Sequence, residues 1–320
     1  MTCPCRIVKT VVWALVISVV VGLSVLFAMS ILVRGPKYLP TMTKELTKNL
    51  LLRGYGPQTI PTPKALCQYS KLFVKSLIAS EADVYQERIL DFDVSFFDYA
   101  DLMGFFGEIF IKELYYFSTQ KRDPFIIDAG GNIGMATLYF KMLYPQAEIM
   151  VFEPSQRCFE VLQKNIRDNG FANVTVINKA LSNKEGTVSF WDPSHGKGCG
   201  SASIIVNRSD NNMTTVPCDT LSRYITKPVD LLKMDIESAE HLVLEDLVAA
   251  DKLKFIKEII MEYHHHMPKN TIDLLGNFLT ILEKNNFGYQ IRGCNWGIAY
   301  QFDPEQGQVL FIHAYQKIGN

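Results

Sequence analysis

The sequence lacks any sizeable net charge. Its 32 basic and 33 acidic residues leave a formal charge of −1. Bulk attraction to nucleic acid or to an acidic surface is therefore excluded as a binding principle, and no nucleic-acid partner is expected. A cysteine pattern is missing as well. The 7 cysteines (Cys3, Cys5, Cys67, Cys158, Cys199, Cys218 and Cys294) are irregularly spaced, which predicts no metal centre, and their odd count predicts no disulfide framework. Internal repeats are absent, which excludes an array of small stacked units.

Charge is also absent, locally, from residues 10–33, TVVWALVISVVVGLSVLFAMSILV. At ~1.5 Å per residue this run is longer than the ~30 Å hydrocarbon layer of a bilayer. A cleaved signal peptide has a shorter apolar core and a small-residue cleavage site, and neither is found here. One membrane anchor at 10–33, behind a short tail at 1–9, is the expectation, with the lipid bilayer as a partner. Topology stays open at this point. Arg6 and Lys9 balance Arg34 and Lys37, and adding Lys44, Lys48 and Arg53 leans towards a cytosolic C-terminal part. Three glycosylation sequons, at Asn173, Asn207 and Asn212, lean towards the lumen. Cys3 and Cys5 beside the span are sites for palmitoylation if the tail is cytosolic, or else plain thiols.

After the span, the chain divides in two. Pro36, Pro40, Pro57, Pro61 and Pro63 fall among polar residues and predict a stem, residues 34–84, without regular elements. From about residue 85 aromatic-rich stretches such as FFDYADLMGFFGEIFIKELYYF read as helices covering one end of a domain over residues 85–320. Beyond Pro124, apolar strands alternate with amphipathic helices: PFIID, AEIMVFEP, NVTVINKAL, VDLLKMDI and FIKEIIMEYH are strands, and the segments between them include helices. Two last strands, GYQIRG and QGQVLFIHAYQ, have no helix between them. The pattern predicts an α/β fold with a mostly parallel sheet, closed by an antiparallel edge hairpin.

In an open α/β sheet ligands bind at the carboxyl ends of the strands. The first strand ends in Asp128-Ala-Gly130-Gly131-Asn132-Ile-Gly134. This is not the G-x-G-x-x-G spacing of a dinucleotide site, and the acid at the tip suits a ligand with a cationic amino or sulfonium group. The second strand ends in Glu153, placed to accept ribose hydroxyls. Together the two acids favour S-adenosylmethionine over a nicotinamide dinucleotide. Asp235 ends the fourth strand, while Glu262 and His264 end the fifth. Methyl transfer to a hydroxyl is an in-line displacement that needs a base for the acceptor's proton. Asp235, Glu262 and His264 are the candidate catalytic residues, a histidine of ordinary pKa being suited to that role at neutral pH. The run His264-His265-His266 is not expected to bind a metal, because neighbouring strand residues point to opposite faces.

The set DAGGNIG, VFEPS, NKALSNKEGTVSF, GSAS, CDTL…VDLLKMDIESAEHLVLEDL and IIMEYH resembles the FkbM-type methyltransferases over roughly residues 85–315. Ser238 departs from the glycine usual there. The resemblance implies a Rossmann-like seven-strand sheet and S-adenosylmethionine as cofactor. It implies that Asp128, Gly130, Asn132 and Gly134 line the donor's methionine end and that Glu153 holds its ribose. Asn178 and Ala180 are placed beside the adenine, and Asp235 at the reaction centre. Ser201, Ser203 and Glu237 are placed near the acceptor, a hydroxyl on a glycan or a small molecule.

The layout of span, stem and catalytic domain predicts a Golgi or other endomembrane enzyme, with the lumenal arrangement favoured. The competing readings are methylation of a lipid-like alcohol at the cytosolic face, a nicotinamide-dependent oxidoreductase on the same fold, and a non-catalytic binding platform.

Overall fold

The computed structural model describes residues 59–192, 204, 213–265, 274–293 and 308–317. The expected membrane span at 10–33 lies outside them, and so do the tail and most of the stem. No helix among the described residues is long and apolar enough to cross a membrane. The chain divides into two units, Met1–Glu81 with Met103–Glu113, and Ala82–Leu102 with Leu114–Asn320.

The described part of the first unit corrects one expectation. Where proline density predicts irregular chain, helix α1 runs over Thr62–Ile78. Its prolines sit where a helix tolerates them: Pro61 is the N-cap and Pro63 falls in the first turn, whose N–H groups have no intrahelical acceptor. Leu72 and Leu77 are buried, as are Phe106 and Phe110 of a π-helical turn over Phe106–Ile111. The two phenyl rings stack at 5.4 Å.

The second unit opens with a hairpin, not the helix expected from about residue 85. Strands β1 (Tyr85–Ile89) and β2 (Phe92–Phe96) pair antiparallel. Leu90 makes the turn at φ +54°, and the buried Ile89, Val94 and Phe96 give the pair its apolar side. Helix α2 (Tyr99–Phe105) follows, its first turn held by Asp98, whose Oδ1 accepts the Ala100 N–H at 2.6 Å.

Next come β3 (Phe125–Ala129), α3 (Met135–Leu143), β4 (Glu148–Phe152), α4 (Gln156–Asp168) and β5 (Val174–Ile177). After a small three-stranded sheet, β6 (Ala180–Ser182), β7 (Gly186–Trp191) and β8 (Met213–Thr220), come β9 (Val229–Met234), α5 (Glu240–Ala249), β10 (Ile256–His265), α6 (Leu274–Lys284), β11 (Phe287–Gly293) and β12 (Gln308–Gln316). The main sheet has 7 strands in the order β11-β12-β10-β9-β3-β4-β5. β10, β9, β3, β4 and β5 are mutually parallel; β12 is antiparallel to both of its neighbours. The terminal hairpin is thus present, but β12 lies inside the sheet and only β11 is at the edge.

The segment expected as one third strand, NVTVINKAL, is two: β5 joins the main sheet, and β6 pairs with β8 in the small one. Central strands β3 and β9 are buried along their whole length, as both faces of a helix-covered parallel sheet must be. Cys158 on α4 is disulfide-bonded, with its partner outside the described residues, while Cys67 and Cys218 are free. The odd cysteine count therefore hid a bridge: it precludes complete pairing, not a single bond.

At the amino end of β9, Asp230 ties three segments together. It accepts the Phe125 N–H at 3.0 Å and pairs with Lys121 at 2.8 Å and Lys257 at 2.7 Å. Burial works to raise its pKa, but the two lysines prevail and hold it below the usual value. Both lysines are about half exposed, so screening leaves the orphaned Phe125 N–H as the main loss on truncation. Asp230→Ala is expected to cost about 2 kcal/mol of unfolding free energy by denaturant titration. Because the folded pKa is depressed, the difference from wild type should be full above about pH 5 and shrink as pH falls through the folded value.

Candidate active site

The turn after β3 seats itself on the protein before it can hold anything else. The Gly130 and Gly131 N–H groups both donate to Phe152 O, at 3.0 and 2.9 Å. Gly130 (φ +82°) leaves no room for a side chain, since a Cβ there would meet the Asp235 carbonyl oxygen at 1.8 Å. A Cβ on Gly131 would come within 2.3 Å of Val151. Asn132 takes φ +49°, and its N–H donates to Glu153 Oε2 at 2.7 Å. Gly134, at φ +95°, starts α3.

Glu153, at the tip of β4, also accepts the Ser155 N–H on Oε1 at 2.8 Å. Burial pushes its pKa up to about 7. The two N–H bonds and the Lys233 charge pull it back, and the Asp128 charge adds to the rise. Asn178 fastens the chain behind it, donating to Glu153 O at 2.8 Å and Pro154 O at 3.2 Å. Ala180, expected beside the adenine, is buried in the small sheet with Phe190, Val216 and Cys218.

Asp128 does not present a free carboxylate at the strand tip. It is fully buried; Oδ2 accepts the Thr137 hydroxyl at 2.8 Å, and Oδ1 lies 3.1 Å from Lys233 Nζ. Lys233 is the residue that sequence reasoning missed. It is 2% exposed and donates to Gly130 O at 2.6 Å, so one ammonium joins β9, β3 and the glycine turn. Burial acts to lower its pKa, but Asp128, Asp235 and Glu262 raise it above the usual lysine value. The signal was visible as the lone cation inside VDLLKM, a strand otherwise apolar after its first acid.

At the other end of the site, Asp235 follows β9 directly, its N–H donating to Ala129 O at 3.1 Å. Its Oδ2 accepts the Tyr115 hydroxyl at 3.2 Å and lies 4.0 Å from Lys233. Glu237 and Ser238 turn at φ +53° and +83°, and Ser238 meets this conformation without the family's glycine. The turn brings Glu237 Oε2 to 3.4 Å from His264 Nε2, while His264 Nδ1 lies 3.0 Å from Glu240 Oε1.

For His264 burial is the largest effect and works to lower its pKa. The hydrogen bond to Glu240, together with the charges of Glu240, Glu237 and Asp235, overcomes it and lifts the value to about 10. His264 therefore keeps its proton at neutral pH and does not fit the expectation of a base of ordinary pKa. Burial also pushes Glu237 up to about 7, helped by Asp235 and Glu240 and opposed by His264. Glu262 lies two residues before His264 on β10, on the same side of the strand, but is not among the three groups that converge: Asp235, Glu237 and His264. Ser201 and Ser203 lie outside the described residues.

The donor end suits S-adenosylmethionine. A carboxylate has about four lone-pair positions, and Glu153 engages two in the turn, which leaves acceptors for the two ribose hydroxyls. A family model described as "Methyltransferase FkbM domain" matches residues 128–291. A protein named Methyltransferase 1 from Beauveria bassiana is 29% identical over 213 residues, covering 59% of this chain and 82% of that one. Methyltransferase sdnD from Sordaria araneosa is 40% identical over 84 residues, covering 26% and 32%. A solved structure, Methyltransferase FkbM from Methylobacillus flagellatus, aligns at TM-score 0.40 and 16% identity, covering 86% of this chain and 60% of that one.

Ribose hydroxyls donate more strongly to the ionised form of Glu153, which is acceptor-only, than to the protonated form, and the free-state pKa of this group is raised. Binding therefore selects the carboxylate, and affinity should grow as pH rises through that value. By calorimetry, S-adenosylhomocysteine is expected to bind up to ~10-fold more tightly at about pH 8 than at about pH 6, with Glu153→Gln weaker and flat across the range.

Proposed function

The chain belongs to the FkbM methyltransferase family, whose model spans residues 128–291, and from that premise we propose that this S-adenosylmethionine-dependent methyltransferase O-methylates a hydroxyl on a glycan or glycoconjugate, working from a membrane anchor with its catalytic domain in the lumen of an endomembrane. The carrying observation is the convergence of Asp235, Glu237 and His264 beside the donor turn. When bound, S-adenosylmethionine supplies a methyl carbon made electrophilic by its sulfonium.

The chain's own residues do the rest. The turn of Gly130–Gly134 and the Glu153 carboxylate hold the donor end. Lys233 fixes that turn against β9 through Gly130 O, so the donor end and the acceptor carboxylates are built on one strand. In-line displacement puts the acceptor oxygen behind the methyl carbon. As the carbon–oxygen bond forms, the acceptor's proton must pass to a base. Asp235 and Glu237 are the candidates, because each side chain is 26% exposed whereas His264 is 4%. Asp235 lies nearer the turn, its N–H bonded to Ala129 O.

Lumenal placement draws support from three features. Cys158 is disulfide-bonded, and such bonds persist in oxidising compartments. Asn173, in the first sequon, is exposed just ahead of β5. The uncharged run at residues 10–33 has the length of a span. The competing reading, a lipid-like alcohol methylated at the cytosolic face, rests on the basic residues that come after that run.

Incubation of the full chain with a tritiated-methyl donor and a membrane extract should label the glycan fraction; label confined to lipid would favour the competitor. Asp235→Asn should cut labelling at least ~100-fold while S-adenosylhomocysteine affinity stays within about threefold. Unchanged labelling in that variant removes Asp235 from the reaction, and absence of labelling in any fraction favours a binding platform. Expressed in animal cells, the chain should gain mobility on endoglycosidase treatment, and Asn173→Gln should reduce that shift. A chain insensitive to the enzyme argues for a cytosolic domain.

A further inference from the structure

We infer that Asp235, Glu237 and His264 form a binding site for one divalent first-row cation of the Mn²⁺ class at the acceptor end of the active site. The inference rests on the methyltransferase reading for its role, but not for its geometry. One ligand atom from each residue lies within 4.8 Å of the other two. Bonds of ~2.1 Å hold neighbouring ligands of one ion about 3 to 3.6 Å apart, a spacing that Glu237 and His264 already have at 3.4 Å, so closing round an ion asks for inward shifts of up to about 1 Å from the side chains.

The imidazole is held as a ligand would be. Glu240 is 1% exposed, and its Oε1 accepts the N–H groups of Ile236 at 3.4 Å and Ser238 at 3.2 Å. The same oxygen lies 3.0 Å from His264 Nδ1. In the neutral ring a carboxylate on Nδ1–H leaves the lone pair on Nε2 and orients it. Nε2 points at Glu237 from 3.4 Å, in a residue that is 95% buried, given its 5% exposure. The two carboxylates, by contrast, are open enough for an ion to enter.

Charge favours a cation as well. Asp235, Glu237 and Glu240 surround one imidazole, and Lys233, 4.0 Å from Asp235, is already paired with Asp128. Two carboxylates and one imidazole make a mixed oxygen–nitrogen set, which suits Mn²⁺ or Zn²⁺ better than Ca²⁺ or Mg²⁺. Three protein ligands leave open positions where a hydroxyl of the acceptor can bind, which would select acceptors that present an oxygen to the ion.

The test uses the full chain after chelator treatment, with Mn²⁺ itself as the probe followed by electron paramagnetic resonance. Saturable uptake of one Mn²⁺ per chain is expected, weakened at least ~10-fold by Glu237→Gln and by Asp235→Asn. Calorimetric affinity for S-adenosylhomocysteine should be unchanged in both variants, which reports an intact fold. Absence of saturable uptake by the wild-type chain, with Zn²⁺ also failing in competition against a chromophoric chelator, overturns the inference. Uptake that survives both substitutions overturns it as well. Mn²⁺ uptake without any S-adenosylhomocysteine binding would instead count against the donor reading and leave the cation site standing.

Discussion

The active site depends on one ammonium group placed where water cannot reach it. Lys233 and Asp128 face each other across the β9–β3 pairing, in register, at 3.1 Å and almost without exposure. Such a pair adds little net stability over an apolar pair of similar size, but removal of either partner strands the other charge. What it provides is position. Lys233 also reaches the carbonyl oxygen of Gly130, so the glycine turn is held by its acceptor as well as by its two N–H bonds to Phe152. The turn's shape is thus written into three strands, β3, β4 and β9, and does not wait for a ligand.

This changes the physical meaning of the acid at the strand tip. Asp128 invites a simple electrostatic reading, a negative charge for a cationic ligand. Its charge is instead met by Lys233 and its second oxygen by Thr137. The carboxylate that stays available is Glu153, whose burial is offset in part by two backbone N–H groups and by the charge of Lys233. Under the proposed function, choice of donor would then rest less on charge opposite the sulfonium than on the shape of the turn and on Glu153 as an acceptor for the ribose.

Much of the fold was legible because its elements obey their periods. Strands β3, β4, β9 and β10 stood out as short apolar runs ending in acids, and α4 as an amphipathic run with a glycine stop. Where legibility failed, tertiary pairing decided. NVTVINKAL has the composition of one strand, yet Asn178 and Lys179 break it so that β5 and β6 can join different sheets. Residues 85–96 lead directly into the aromatic helical stretch and read as part of it, but a positive φ at Leu90 turns the chain and its β-forming aromatics pair as a hairpin. Prolines 61 and 63 signalled an irregular stem, while their place at a helix start makes them compatible with α1. At the site, Asp235, Glu153 and the glycine turn could be found from strand ends. Lys233 was visible only as the lone cation of its strand, and neither its role nor that of Glu240 was legible, because each acts through a neighbour's atoms: a carbonyl in one case, an imidazole in the other.

The same logic joins the two ends of the site. Lys233 and Asp235 are two residues apart, so an extended chain sends both to one side of the sheet. One secures the glycine turn, and the other is the base we propose for the acceptor. Beyond them the chain stops being extended: Glu237 and Ser238 adopt left-handed conformations that non-glycine residues adopt only at some cost. That cost is met by Glu240, whose single oxygen takes two of the turn's N–H groups and lies within hydrogen-bond distance of the His264 ring. A substitution at Glu240 would release the turn and the imidazole together, without touching either substrate. The Asp235–Glu237–His264 cluster is thus positioned by a residue that lies behind it, as the glycine turn is positioned by Lys233.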